Sequence, residues 1–164
     1  MLNRNLQSHY VPSECIVIDE QLFPFRGRTE FTQYMPFKPA KYGIKVWWIC
    51  DADNFYPLTG QIYTGKSPLG QEINQGGRVV RDLAIWYKNP GRNVTMDNCF
   101  CTLSIARSLL SLNLSVMGTL KQNKACIPPE TKANSKRETQ SLPFGFAEDG
   151  KVTCAHMCQR RINP

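Results

Sequence analysis

A carboxylate beside a short apolar run is the feature that most restricts how this chain can fold. The run Cys15-Ile16-Val17-Ile18 is rich in β-branched residues, so it predicts a buried strand, and Asp19 falls where that strand would end. Burial of an unpaired carboxylate costs several kcal/mol unless a cation or hydrogen bonds compensate for it. Arg26, Arg28 or a bound metal ion could provide the compensation. An exposed Asp at the strand end, or a simple Asp–Arg ion pair, is the ordinary alternative.

A second strand-like run also ends in a carboxylate. Residues 92–98 form a short segment that ends at Asp97 and Asn98 and is followed by a helical apolar pattern. The separation from Asp19, 97 − 19 = 78 residues, leaves room for a hairpin and a helix. A mixed sheet could therefore bring both strand ends to one edge. Carboxylate oxygens there would suit Mg²⁺ or Mn²⁺, and two such ions could activate an attacking oxygen and stabilise a leaving oxygen of a phosphodiester.

A cluster of cations follows the first run. Its members are Arg26, Arg28, Lys38, Lys41 and Lys45. The whole chain carries a formal net charge of +7, which favours an anionic partner such as a DNA backbone. Tyr34, Phe37 and Tyr42 lie among these cations and could stack on unpaired bases, although aromatic residues also fill the cores of small domains. A solvated basic face with no dedicated partner is the alternative.

The hydrophobic pattern predicts an α/β fold with a mixed sheet and flanking helices. We expect strands over residues 14–22, 42–51, 58–64, 94–97 and 116–120. The first three would form an antiparallel meander. One helix is expected between the third and fourth strands, with an apolar face of Val79, Val80, Leu83 and Trp86. A second helix, capped by Thr102, is expected over residues 103–112, with an apolar face of Leu103, Ala106, Leu109 and Leu110.

Several blocks of the sequence resemble the piggyBac-type DDE transposases and the proteins derived from them. The resemblance covers roughly residues 5–124. The blocks, in the family's order, are Ile18-Asp19-Glu20-Gln21-Leu22, Pro24-Phe25-Arg26-Gly27-Arg28, Gln33-Tyr34-Met35-Pro36, Lys38-Pro39-Ala40-Lys41-Tyr42-Gly43-Ile44-Lys45-Val46-Trp47, Tyr63-Thr64-Gly65-Lys66 and Val94-Thr95-Met96-Asp97-Asn98. So many blocks in one order are specific. They imply an RNase H-like core whose acidic triad binds two divalent ions, Mg²⁺ or Mn²⁺, cuts DNA at transposon ends and joins the element to TTAA targets.

The resemblance assigns roles residue by residue. Asp19 matches the first catalytic, metal-binding carboxylate of the triad and Asp97 matches the second. The third, which the family places beyond an inserted β-rich segment, has no match here. Glu148 and Asp149 lie in the stretch that looks like the insertion and are expected to be solvated loop residues. We therefore expect little or no cleavage by this chain alone. The cluster of cations is expected to bind DNA.

The character of the sequence changes after Lys124. We expect residues 1–124 to form the N-terminal part of the RNase H-like core. Residues 125–164 are expected to form the start of the insertion, within which the chain stops, and a divergent, poorly ordered tail. Cys154, His156 and Cys158 offer three zinc ligands, but their spacing is tighter than in common zinc motifs and a fourth ligand is not evident.

Other classes of protein are disfavoured by the sequence. No apolar stretch approaches the ~20 residues that cross a membrane, and no apolar signal segment follows Met1, so we expect an intracellular protein without a membrane partner. The resemblance implies a nuclear protein and leaves a homodimer of the full-length protein open. Two functions remain: a fragment of a transposase core, or a domesticated, non-catalytic DNA-binding or protein-interaction remnant. A degraded reading frame without a stable product is a third possibility.

Overall fold

A six-stranded mixed sheet dominates the first of two compact units in this computed structural model. The structure describes residues 1–65, 70, 72–88, 91–132, 138 and 141–156. The units are Met1–Leu120 and Lys121–Pro164. The described elements of the first unit are α1 (Leu2–Ser8), β1 (Cys15–Pro24), β2 (Thr32–Tyr34), β3 (Tyr42–Asp51), β4 (Pro57–Ile62), α2 (Gln75–Ala84), β5 (Asn93–Met96), α3 (Leu103–Leu110) and β6 (Ser115–Gly118). In the second unit, β7 (Phe144–Phe146) pairs antiparallel with β8 (Thr153–Ala155).

Strand β1 lies at the centre of the sheet, between one antiparallel and one parallel neighbour. It runs antiparallel to β3 along most of its length and parallel to β5 only as far as the pair of Ile18 and Met96. Strand β6 continues the parallel part beside β5. On the other side, β2 and β4 pair with successive parts of the outer edge of β3. The antiparallel meander of β1, β3 and β4 that the sequence predicted is therefore confirmed.

The hydrophobic core lies between one face of this sheet and two helices. Residues at alternate positions along a strand face the same side, so Ile16 and Ile18 enter the core together. The buried strand residues include Ile16, Ile18, Ile49, Leu58, Val94 and Met96, and the helices add Val79, Val80, Leu83, Ala84, Ile105 and Leu109. Each large aliphatic side chain stabilises the fold by about 1.5–3 kcal/mol when it is buried. The whole cluster belongs to the first unit.

Helix α1 covers the free edge of β4. The Asn3 side chain donates a hydrogen bond to the carbonyl of Gly60 at 2.9 Å and accepts one from its N–H at 3.0 Å. Gln7 donates to the Thr59 hydroxyl at 2.8 Å. An amide side chain thus takes the place of a neighbouring strand, which protects an edge that could otherwise pair with another chain.

The predicted α/β architecture is confirmed, and each predicted strand occurs with its ends shifted by at most two residues. In the first unit, the short elements α1 and β2 were not predicted. The predicted apolar faces of the two helices were each wrong at one position. Trp86 is 68% exposed, and Tyr87 is buried in its place because the chain tightens into a 3₁₀ turn, Ile85–Tyr87, after α2. On α3, Ile105 is buried while Leu110 is 41% exposed.

Among the described residues, no helix is long and apolar enough to cross a membrane.

Candidate active site

The two candidate carboxylates follow neighbouring positions of two parallel strands. Ile18 of β1 pairs with Met96 of β5. Asp19 directly follows Ile18 in the sequence, and Asp97 directly follows Met96. Ile18 and Met96 are 0% and 4% exposed and face the core, and Asp97 lies just beyond the end of β5. The fold therefore places Asp19 and Asp97 side by side at the carboxyl end of β5.

Asp19 lies within β1, inside the predicted strand over residues 14–22, and not at the strand end that the apolar run of residues 15–18 had suggested. Strand β1 continues to Pro24 because its ladder with β3 extends beyond the end of β5. The Asp19 carboxylate is exposed and accepts the N–H of Glu20 at 2.8 Å. Desolvation by the surrounding chain raises the pKa of Asp19, and the Glu20 charge adds to this effect. The Glu20 N–H and the Lys38 charge oppose the rise in this pKa.

Asp97 begins the turn that leads into α3. Its side chain accepts the N–H of Cys99 at 2.8 Å, and its carbonyl accepts the N–H of Cys101 at 2.9 Å. The Thr102 hydroxyl then accepts the N–H of Ile105 at 3.2 Å, which confirms the predicted helix cap. A turn and a capped helix therefore fix the position of Asp97.

Lys38 connects this pair of carboxylates to Glu20. Its ammonium lies 2.9 Å from Glu20 Oε1 and donates to the Glu20 carbonyl at 3.1 Å. The hydrogen bond to Glu20 raises the pKa of Lys38, and the charges of Glu20, Asp19 and Asp97 act in the same direction. Lys38 is therefore ion-paired to Glu20, while the charges of Asp19 and Asp97 act on it without a direct ion pair among the described contacts. The sequence had suggested Arg26 or Arg28 as the cation beside Asp19, whereas the structure places Lys38 there.

The donor set fits a hard divalent cation. Mg²⁺ is commonly held by one or two carboxylates together with water and substrate phosphates, and Asp19 and Asp97 offer two carboxylates on one edge. No group of three or more His, Cys, Asp and Glu side chains that could hold a metal occurs in the part of the chain that the structure describes. Of the three possible zinc ligands in the tail, Cys158 lies outside the described residues.

Two of the predicted DNA-binding cations line an open groove. Arg26 and Lys41 border this groove of about 540 Å³ together with Phe25 and Tyr42, between the end of β1 and the start of β3. The rings of Tyr34 and Tyr42 lie 4.7 Å apart and are 56% and 59% exposed. Cations beside accessible aromatic rings are the combination found in grooves that bind nucleic acid. Arg28 is exposed in the loop that follows β1.

Lys45 has a different environment from the other predicted cations. Its ammonium lies 4.7 Å from the ring centre of Trp47 and 4.5 Å from that of Tyr63. Burial lowers the pKa of Lys45, while Glu20 and Cys99 oppose the change. Lys45 is therefore half-buried against two rings, and its contact with DNA stays a prediction.

Glu20 is the residue of this site that the sequence analysis did not single out. Its side chain is 16% exposed, and it belongs to the same block as Asp19. The sequence did contain a signal for Glu20. It lies two positions after Ile18 and therefore on the same side of the strand, and a carboxylate on the core-facing side requires a cation as its partner.

Comparison with known proteins identifies the class of protein to which this fold belongs. The model of the family described as Transposase IS4 matches residues 1–162, and the chain therefore belongs to that family. A cryo-EM structure of a piggyBac transposase synaptic complex with hairpin DNA superimposes with a TM-score of 0.88 at 32% identity, over 96% of this chain and 33% of that one.

Two human relatives extend the comparison. PiggyBac transposable element-derived protein 3 is 27% identical over 154 residues, which cover 88% of this chain and 26% of the relative. The chimeric ERCC6-PGBD3 protein is 27% identical over 154 residues, which cover 88% of this chain and 14% of the relative. The chain thus spans a third or less of the length of each of these three proteins, and it corresponds to a portion of a piggyBac-like transposase.

Proposed function

We propose that this chain is part of the catalytic core of a piggyBac-like DNA transposase, in which Asp19 and Asp97 hold Mg²⁺ or Mn²⁺ at the DNA phosphate to be cut. The observation that carries the proposal is the parallel register of β1 and β5, which puts both carboxylates at one edge. Bound there, divalent ions would stabilise the charge that develops on the phosphate oxygens. The role of the chain's own residues is to fix two oxygen ligands on rigid elements.

The basic groove supplies the second part of the proposal. Arg26, Arg28 and Lys41 would contact the DNA backbone beside the acidic site, and the solved relative in a complex with hairpin DNA supports a DNA partner. Transposon ends and TTAA targets are the DNA that the family resemblance implies. A nuclear location and a homodimer of the full-length protein belong to the same proposal.

The chain by itself is proposed to bind DNA and metal without cutting. Only two of the three expected carboxylates match this sequence. The alternative function is a domesticated, non-catalytic DNA-binding or protein-interaction remnant. A failure of the wild type to bind metal would support that alternative.

DNA binding tests the proposal through its salt dependence. We expect a short duplex to bind with an affinity that falls steeply as salt rises, since each phosphate contact contributes about −0.9 to the slope of log K against log salt. The double variant Arg26→Ala/Lys41→Ala should reduce this slope by about 2. Arg81→Ala/Lys88→Ala removes two exposed cations elsewhere and serves as the matched control. Equal losses in both double variants would show non-specific attraction only and would refute the groove.

A further inference from the structure

The strongest unassigned feature is the fixed position of the Lys38 ammonium. The loop that carries Lys38 is closed by two backbone hydrogen bonds, from the N–H of Lys38 to the Met35 carbonyl at 3.1 Å and from the N–H of Met35 to the Lys41 carbonyl at 2.8 Å. The side chain then reaches two oxygens of Glu20. Both the backbone and the side chain therefore place this cation at the centre of β1.

The charges around this ammonium are unbalanced. Lys38 is ion-paired to Glu20, the residue after Asp19 in β1, and the charges of Asp19 and of Asp97, which follows β5, act on it as well. The side chains of Glu20 and Lys38 are 16% and 31% exposed, so water screens their charges less than it screens a surface pair. Without a cation, Asp19 and Asp97 would repel each other across adjacent strands.

We propose that Lys38, anchored by Glu20, is the built-in cation of the acidic site, and that it holds Asp19 and Asp97 together before a divalent ion binds. This inference rests on the proposed function of that site as a metal site. Lys38 is then a positioning residue, because it acts through the two carboxylates. An ammonium has three N–H groups, and two of them bond to Glu20 among the described residues. The charge of Lys38 also opposes the arrival of a second cation, so the divalent ion has to compete with it.

Thermal unfolding of the whole chain in EDTA tests the charge balance without any metal. We expect Lys38→Met to lower Tm by about 3–6 °C. In an Asp19→Asn background, where one carboxylate charge is absent, the same substitution should lower Tm by less than half as much. Lys38→Arg keeps the charge and should stay close to the wild type. Lys88→Met, at an exposed lysine of the same unit, should change Tm by less than about 1 °C.

Calorimetric titration with Mn²⁺ gives a readout that a purely structural lysine would not change. Removal of the competing charge should raise the Mn²⁺ affinity of Lys38→Met about fivefold. Lys88→Met should differ from the wild type by less than about twofold.

The two measurements separate the failure of this inference from that of the proposed function. If the loss of Tm in Lys38→Met is the same with and without Asp19→Asn, Lys38 does not balance that carboxylate and the inference is overturned, whether or not Mn²⁺ binds. If the Tm values are coupled as expected but the wild type binds no Mn²⁺, the built-in cation stands and the metal site of the proposed function falls. An unchanged Mn²⁺ affinity in Lys38→Met, with the wild type binding, would also overturn the inference.

Discussion

Two aspartates of the central strands show how local structure decides the behaviour of a carboxylate. Asp51, at the end of β3, is 0% exposed and accepts the N–H groups of Ser13 at 2.6 Å and Asp53 at 2.9 Å. Burial acts to raise the pKa of Asp51, but these hydrogen bonds outweigh it and the pKa is lowered. Asp19 has one backbone donor and a neighbouring Glu20, and its pKa is raised. The hydrogen bonds therefore favour the ionised form of Asp51 in the folded protein, whereas desolvation disfavours the ionised form of Asp19.

We predict that Asp51→Asn destabilises the protein by about 1–3 kcal/mol, because an amide cannot accept at both of its terminal atoms and leaves a buried N–H unpaired. Urea unfolding measures the change. The control is Asp53→Asn, since the Asp53 side chain is exposed while its N–H would still reach Asp51. Equal stability of Asp51→Asn and Asp53→Asn would contradict the assigned role.

The pH dependence of the Asp51 contribution has a definite sign. A lowered pKa in the folded state means that the unfolded chain binds the proton more tightly, so stability rises with pH through this titration. The contribution is fully present above the ordinary value of 3.8 and is lost as the pH falls from there towards the lowered pKa. In Asp51→Asn this acid-dependent component should disappear from a plot of unfolding free energy against pH.

Asp19→Asn should have the opposite effect on stability. Because the pKa of Asp19 is raised, its ionised form is less favourable in the folded protein than in the unfolded chain. The associated stability is present below 3.8 and is lost as the pH rises through the raised pKa, so at pH 7 a neutral amide should increase Tm. Functional groups are often retained at such an expense in stability. A lower Tm in Asp19→Asn than in the wild type would show that the favourable charge of Lys38 outweighs desolvation.

At the scale of elements, strand β4 depends on a glycine. A Cβ built at Gly60 would overlap the ring of Trp48 on the neighbouring strand β3. We predict that Gly60→Ala destabilises the protein by about 1–3 kcal/mol through overpacking. In a Trp48→Leu background the same substitution should cost much less, and denaturant unfolding of the four proteins gives the coupling. Equal costs in both backgrounds would show that the ring moves aside freely.

The elements that were predictable from the sequence are those with a strong local pattern. Strands β1 and β3 combine β-branched residues with burial, and Thr102 is a good helix cap, so these were found. Helix α1 buries no residue, and β2 has three residues, so neither produces a hydrophobic period. The position of Asp19 within β1 depends on β5 being shorter than β3, which is a property of pairing and not of either segment.

The contacts of the candidate site were less predictable than its ligands. Asp19 and Asp97 were selected because each follows a strand-like run and matches a family block. The pair of Glu20 and Lys38 is separated by a loop and by β2, so only the folded loop brings the two charges together. Which of the predicted cations faces the acidic site is therefore set by loop geometry.

At the scale of the whole molecule, the core and the acidic site belong to the same unit. The core cluster, Asp19 and Asp97 all lie within Met1–Leu120. We predict that residues 1–120 alone unfold cooperatively and bind Mn²⁺ as the whole chain does. Calorimetry on both proteins makes the comparison. Aggregation or non-cooperative unfolding of the shorter protein would show that Lys121–Pro164 is required for the core.

The measurement that tests the central claim most directly is calorimetric titration of the wild type, Asp19→Ala and Asp97→Ala with Mn²⁺. Convergence of the two carboxylates predicts that the wild type binds and that either substitution abolishes binding, while Asp53→Ala, at an exposed carboxylate, leaves it unchanged. Since protons and metal compete for Asp19, wild-type affinity should also fall as the pH decreases, beginning above 3.8 because the pKa is raised. No binding by the wild type, or binding that survives both substitutions, would contradict the account.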